Sequence, residues 1–464
     1  MSRTTTEAPI AMPSLTFGPV RHGDSLVRLR PPRLSDFGRW REIRLRDRAW
    51  IEPHWGTSPL SWEQRHTSRI WARECLVAWA DMRAGRRFVG VIEVDGRFAG
   101  QVEYTIIDAD SATAEAGAWI DARAARRGLI GCALLLLCDY MFRVHGVARV
   151  LAPVSTDNDP ALRCLRGLGF RHEATMARAY DAGGARKDHT LWALTPADLA
   201  AAQLPPLVPV DPADVPLVEP RTSRSAARAT YPPSTAPGAG SANSGVPRTV
   251  VALAALRWSV WSVREKLRRY RPAAPVALIV RERPNTVVRT LTRMDRGQWT
   301  QVGRTRVTAT SSFPRSRQER LGTEEGPSAG QDRSKSRAQW YRTLWHSRFG
   351  LRSPSGLRLV LDVNGAYAGE FHLYDSPLPC QATGLYIWVD PLRVEPELWA
   401  AALRKVIEHA FTELGVQRMA AEIPVGDTVT AAVVAAAGFA NEGLLRAHRG
   451  PSGPSADHDL WGLT

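Results

Sequence analysis

At 464 residues and 44% hydrophobic content, the chain is long enough for two domains with cores of their own, which excludes a disordered polypeptide. The opening stretch MSRTTTEAPIAMPSLTFG has no apolar segment, no later run approaches the ~20 apolar residues of a membrane span, and the five cysteines form no CxxC pair, so a soluble, cytoplasmic protein without a metal site or transmembrane segment is expected. The net charge of +15 draws polyanions, whether nucleic acid, anionic lipid or a phosphorylated cofactor, and selects none of them.

In chain order, residues 26–31 alternate like a strand, and Ser35 and Asp36 open a helix carrying Trp40. The segment RAWIEPHWGTSP (48–59) follows, and SWEQ (61–64) is a capping box that starts a second helix. Residues 86–94 and 99–107 read as strands joined by an Asp95–Gly96 hairpin turn. A strand at 113–121 feeds a long apolar helix at 129–145. A strand at 148–155, a short helix at 159–168 and a hairpin turning at Gly183–Gly184 close the segment. The order β-α-α-β-β-β-α-β-α-β-β predicts a mixed sheet with helices on both faces, an α/β (α+β) fold.

Residues 201–248 are rich in Pro, Ala, Ser and Gly and read as a linker. In residues 249–272, Leu253, Leu256, Val260, Val263, Leu267 and Tyr270 recur at steps of three and four, an apolar helix stripe that Pro272 ends. With Trp258, Trp261 and five basic residues (Arg257, Arg264, Lys266, Arg268, Arg269), this basic helix suits an RNA or anionic-membrane surface; docking on one of the domains is the plainer expectation.

The final residues, DHDLWGLT (457–464), restate DHTLWALT (188–195), an offset of 457 − 188 = 269. The same offset lays VDGRFAG (94–100) on VNGAYAG (363–369), WID (119–121) on WVD (388–390) and the Gly-Phe of 169–170 on that of 438–439. Upstream, an offset of 259 lays LRPPRLSDFGRW (29–40) on VRTLTRMDRGQW (288–299). The expectation is a tandem duplication of one domain, spanning 17–200 and 276–464.

The stretch AEAGAWIDARAARRGLIGCALLLL (114–137) is strand, basic Gly-containing loop and helix N-terminus. Unpaired N–H groups at a helix start, reinforced by arginines, suit a diphosphate, although glycine before a helix is common without one. The second half has VEPELW (394–399) where the first has ARRGLI (125–130), so Glu397 falls on Gly128 and Glu395 on Arg126. Two carboxylates and a proline repel a diphosphate and remove a donor. Features common to both halves therefore read as architecture, among them Asp188–His189, repeated as Asp457–His458. Features of the first half alone are better candidates: Glu115 falls on Gly384, Asn158 on Asp427 and Tyr180 on Arg449.

The element order, the strand–loop–helix, N-x-x-A-x-R (158–163) before LGF (168–170), and the closing KDHTLWALT resemble the GNAT N-acyltransferases, within them the ribosomal-protein alanine N-acetyltransferases of RimJ/RimL type, over nearly all of residues 25–197. The resemblance implies two tandem GNAT folds, each a mixed, mostly antiparallel sheet flanked by helices, the second degenerate and non-catalytic. It implies acetyl-CoA as co-substrate and a peptide or protein N-terminal amine as acceptor. A small amine (polyamine or aminoglycoside) is the alternative acceptor, and a non-catalytic scaffold on ribosome, RNA or anionic membrane the alternative function. The CoA diphosphate would lie on Arg126, Arg127, Gly128, Leu129 and Ile130, or with a one-residue slip as far as Gly131, and Asn158 would meet the pantetheine arm. Glu115 would act as base, Gly117 and Ala118 would polarise the thioester carbonyl, Tyr180 would serve the thiolate, and Glu52 and His54 would meet the acceptor.

Overall fold

The computed structural model describes residues 16–108, 112–210, 246–268, 273–298, 340–345, 350–352, 356–376, 378, 380–448 and 456–464. Linker residues 211–245, Tyr270, Pro272 and Arg449 lie outside them. The chain divides into two compact units: Met1–Ile106 with Ala116–Val147 and Leu199–Trp258, and Ile107–Glu115 with Ala148–Asp198 and Ser259–Thr464.

In the first unit, strands β1 (Phe17–His22) and β2 (Ser25–Arg30) form a hairpin. Helices α1 (Phe37–Arg46), α2 (Arg48–Ile51), α3 (Trp62–Arg65) and α4 (Ser68–Arg83) follow, then β3 (Arg87–Val94) and β4 (Arg97–Asp108). The capping box is as expected: Gln64 N–H donates to Ser61 Oγ at 3.2 Å, and Ser61 N–H to Gln64 Oε1 at 2.9 Å. β1, β2, β3 and β4 pair antiparallel in that order. Strand β5 (Thr113–Ile120) leads into α5 (Leu129–Arg143), whose buried face carries Leu129, Cys132, Leu134, Leu137 and Met141.

The fold opens with two strands where one was expected, because β1 has its own partner on each side. That second partner corrects the linker boundary. After α7 (Pro196–Ala201), β9 (Val208–Pro209) pairs with β1, Val20 opposite Pro209. Helix α8 (Arg248–Arg268) corrects the stripe expected there. Leu253, Leu256 and Val260 are exposed, whereas Val246, Val250, Val251 and Ala254 pack on Trp40, Ile43 and Trp71.

In the second unit, Thr113–Glu115 of β5 pairs parallel with β6 (Arg149–Ser155), β6 antiparallel with β8 (Ala185–Leu194), and β8 with β7 (Arg171–Ala182). Helix α6 (Asp159–Gly167) joins β6 to β7. The later strands are β10 (Ala277–Ile279), β11 (Thr286–Thr290), β12 (Leu357–Val363), β13 (Ala366–Asp375) and β14 (Thr383–Val389). Helix α9 (Pro396–Thr412), β15 (Met419–Pro424), α10 (Thr428–Ala436), β16 (Ala440–His448) and β17 (Ala456–Leu463) complete it. β10 to β14 pair antiparallel in sequence order, β14 lies parallel to β15, and β17 separates β15 from β16. Trp399, Ala402, Leu403 and Val406 of α9 are buried in the core of this region.

β7 meets β16 at Ala174 and Gly443, where a Cβ on Gly443 would stand 2.1 Å from the Glu173 carbonyl oxygen. Two buried ion pairs flank the junction, Arg149–Glu173 and Arg418–Glu442. Each reaches across it. The Arg446 N–H donates to Glu173 Oε1 at 3.3 Å and the Ala177 N–H to Glu442 Oε1 at 2.9 Å. Arg149 donates to the Arg446 carbonyl, and Arg418 to the Ala177 carbonyl at 2.6 Å. Among the described residues no helix is long and apolar enough to cross a membrane, and no His/Cys/Asp/Glu group is arranged to hold a metal.

Candidate active site

The loop between β5 and α5 is held from below by carboxylates. Asp121 accepts from Arg39 and Arg46, and Asp47 Oδ2 accepts the Ala122 N–H at 2.8 Å. Two left-handed residues, Arg126 (φ 62°) and Gly128 (φ 73°), then turn the chain into the helix. Gly128 is the N-cap of α5, and its carbonyl accepts the Cys132 N–H at 3.0 Å, so the N–H groups of residues 129–131 begin the helix without intrahelical partners. A Cβ at Gly128 would stand 2.5 Å from His22 Nε2. The side chains separate the candidates. Arg126 and Gly128 are exposed, Leu129 and Gly131 are buried and Ile130 is half-buried, so these last three offer backbone rather than side chain. Arg127 donates to Ser25 Oγ at 2.6 Å and is thereby turned toward the β1–β2 hairpin.

Glu397 does not stand where the offset placed it. Helix α9 starts earlier, with Glu395 as N-cap and Pro396 at the first position, so Glu397 occupies a helical position and not a left-handed one. The proline removes one N–H from this helix start.

The structure brings together two candidates named from sequence. Tyr180, half-buried on β7, has its phenol raised well above the usual range by burial, the charge of Glu115 on β5 and Cys380. It is a neutral hydrogen-bond donor at any working pH. Its ring centroid lies 4.8 Å from that of His189. Asn158 is first of all a helix cap, its Oδ1 accepting the Ala161 N–H at 3.3 Å, and Asp427 caps α10 in the same way through the Thr430 N–H at 3.0 Å. Asp188 and His189 form no relay. Asp188 Oδ1 accepts the Arg178 N–H at 2.8 Å, while His189 Nδ1 lies 3.0 Å from the Lys187 carbonyl. Asp457 and His458 repeat both contacts, with the Ala447 N–H at 2.9 Å and the Ala456 carbonyl at 3.0 Å.

In the segment after α2, Glu52 accepts from Arg48 at 2.5 Å, and His54 is half-buried at the end of a short 3-10 turn. Two features escaped the sequence reading. Gln381, from the second half, fixes the backbone beside Tyr180 by accepting the Asp181 N–H at 3.1 Å. Arg44, on α1, is buried beneath Trp55. No local pattern marks either; only the Trp-rich composition around residues 40–71 signals an aromatic cluster.

Residues 27–171 match the family model for the acetyltransferase (GNAT) domain. Among solved structures, the chain is similar to Mycobacterium smegmatis RimJ in complex with CoA-disulfide, at 33% identity over 40% of this chain and 89% of that one, with a TM-score of 0.39. It is similar also to the ribosomal-protein-S5-alanine acetyltransferase of Vibrio fischeri (20% identity, 39% and 97% covered, TM-score 0.35). A third is the microcin C7 self-immunity acetyltransferase MccE in complex with acetyl-CoA and AMP (18% identity, 36% and 92% covered, TM-score 0.34). No curated protein matches the chain.

Proposed function

Since the chain belongs to the GNAT acetyltransferases through residues 27–171, we infer that its first half transfers acetyl from acetyl-CoA to a peptide or protein N-terminal amine. The observation that carries this reading is the exposed, left-handed Gly128 at the start of α5, next to exposed Arg126. A position without a Cβ, followed by outward N–H groups and a cation, fits a diphosphate. Arg126 and the backbone of 128–131 hold it, and the N–H groups near Gly117 and Ala118 polarise the thioester carbonyl. Glu115 draws the proton from the attacking amine, directly or through water; an α-amino group with a pKa near 8 needs no stronger base. Tyr180, kept neutral, donates a hydrogen bond to the departing thiolate. Asn158 caps α6 through its oxygen and keeps its amide N–H groups for the pantetheine arm. Glu52 and His54 face the acceptor.

We further infer that the second half is a diverged copy of the first that has become its partner. Supporting this, the register shifts between Ile92 and Glu93 and between Leu361 and Asp362 match at the 269 offset. The Arg30–Asp36 and Arg289–Asp295 pairs match at the 259 offset. At Gly384, the counterpart of Glu115, the Tyr374 ring fills the side-chain position, 2.5 Å from where a Cβ would be. The crossed contacts of Arg149–Glu173 and Arg418–Glu442 have the reciprocity of a two-fold dimer interface.

Thermal unfolding with acetyl-CoA, followed by mass analysis of an acetylated peptide, tests the enzyme reading. Ligand at about a hundred times Kd adds roughly 2.7 kcal/mol of stability. No shift at millimolar acetyl-CoA rejects catalysis and leaves the scaffold reading.

A further inference from the structure

Buried arginines in this protein meet carboxylates: Arg30 meets Asp36 and Glu93, Arg149 meets Glu173, and Arg418 meets Glu442. Arg44 differs. It is 3% exposed and, among the described residues, forms no ion pair. Its Nε donates to His66 Nε2 at 3.0 Å, and its Nη1 is buried and, among the described residues, has no hydrogen-bond partner. His66 supplies no negative charge. Its Nδ1 lies 2.5 Å from the Trp62 carbonyl, and burial with the cationic Arg44 and Arg65 lowers its pKa to about 4, so the ring is neutral. Burial likewise lowers Arg44 to about 9, and the one acid whose charge acts on it is Glu74 of α4.

Aromatic rings surround the guanidinium, with centroids at 3.8 Å for Trp55, 4.9 Å for Trp62 and 5.1 Å for Trp119. Cation–π attraction offsets part of the desolvation, but a ring face does not satisfy an in-plane N–H. The location connects this cation to the reaction. Trp55 belongs to the segment expected to meet the acceptor and is 38% exposed, and Trp119 follows Ala118 on β5. Arg65 adds positive charge, lying over the Trp62 ring and donating to the Gly56 carbonyl at 2.7 Å.

We propose that Arg44 is a carboxylate-binding specificity residue: it receives, beneath Trp55, a carboxylate that the acceptor carries close to its amine. This rests on the acetyltransferase reading. A carboxylate matches the planar guanidinium fork and replaces the missing anion, while the tryptophan faces suit its flat, small group better than a bulky phosphate. The carboxylate comes either from an acidic side chain near a peptide N-terminus or from the free α-carboxylate of a small amino acid.

Calorimetric titration of the full chain, with CoA present, separates these from each other and from turnover. The probes are peptide amides with Glu, or its neutral twin Gln, at the first, second or third position, and free glutamate. The expected result is about ten- to a hundredfold tighter binding of one Glu peptide than its Gln twin. In Arg44→Met this preference disappears, and in Arg44→Lys part of it returns. Preference for free glutamate over every peptide assigns the α-carboxylate instead. Equal binding of all acid and neutral twins by the wild-type chain, with no preference for free glutamate, overturns the proposal, whatever the variants do. An unchanged preference in folded Arg44→Met overturns it as well. Absence of acetyl transfer alongside charge-selective binding overturns the enzyme reading and leaves the carboxylate site standing.

Discussion

Gly128 sits with φ 73° at the point where α5 begins, and its missing side chain leaves room for His22. Gly128→Glu places a like charge beside a diphosphate. At an effective dielectric of about 20 and a separation of about 4 Å, the repulsion is on the order of 4 kcal/mol, roughly a thousandfold in affinity. The left-handed backbone adds about 1–2 kcal/mol of strain, so stability falls too, unlike at the helical Glu397. Gly128→Ala carries the strain without the charge. Acetyl-CoA titration paired with denaturant unfolding of both variants separates the two effects, with a similar stability loss in both and the larger affinity loss expected in Gly128→Glu.

His66 yields a second prediction at this scale. Its pKa of about 4 in the folded protein, against 6.5 ordinarily, means the unfolded chain binds a proton in a window where the folded chain does not. The stabilisation is complete above pH 6.5 and is lost as pH falls toward 4, by up to about 3 kcal/mol. His189 and His458, also lowered by burial, act in the same direction. Denaturant midpoints between pH 7 and 4 should show a slope that His66→Gln flattens.

Among the elements, α8 shows how a stripe is chosen by its partner. Val250, Val251 and Ala254 pack on the cluster around Trp40 and Trp71, while the larger Leu253 and Leu256 remain exposed. The small Ala254 lets the helix approach the tryptophans closely. Ala254→Arg should therefore destabilise the first unit by about 3 kcal/mol through overpacking and a buried charge. Leu256→Ser, on the exposed face, should stay within about 0.5 kcal/mol. Thermal melts of the two variants check the assignment; the opposite ranking would restore the stripe read from periodicity.

For the whole molecule, the junction of β7 and β16 is the telling feature. Glu442→Gln leaves Arg418, fully buried, without its anion, and should cost about 3–5 kcal/mol. Arg418→Met with Glu442→Leu removes both charges and should recover most of that loss, since a well-packed apolar pair replaces a desolvated one. Denaturant midpoints of single and double variants measure the coupling. Glu173→Gln, across the junction, should behave alike if the interface is reciprocal.

Much of this protein is legible in sequence because its signals are local or repeated. The Asp95–Gly96 and Asn364–Gly365 turns, with φ of 50°, 74°, 55° and 78°, were readable because few residue pairs tolerate left-handed conformations in succession. The architectural role of Asp188–His189 followed from its recurrence at Asp457–His458, and both pairs make matching contacts. The strand–loop–helix at 114–137 was visible from its glycine, its arginines and its apolar helix. Tertiary structure decided which charges meet. It turned Arg127 to Ser25, brought the charge of Glu115 to bear on Tyr180, set Gln381 against Asp181, and enclosed Arg44 among three tryptophans with no ion pair among the described residues. It also chose the face of α8. Periodicity reports which residues share a face of one element, but desolvation and ion pairing depend on what another element brings from far along the chain.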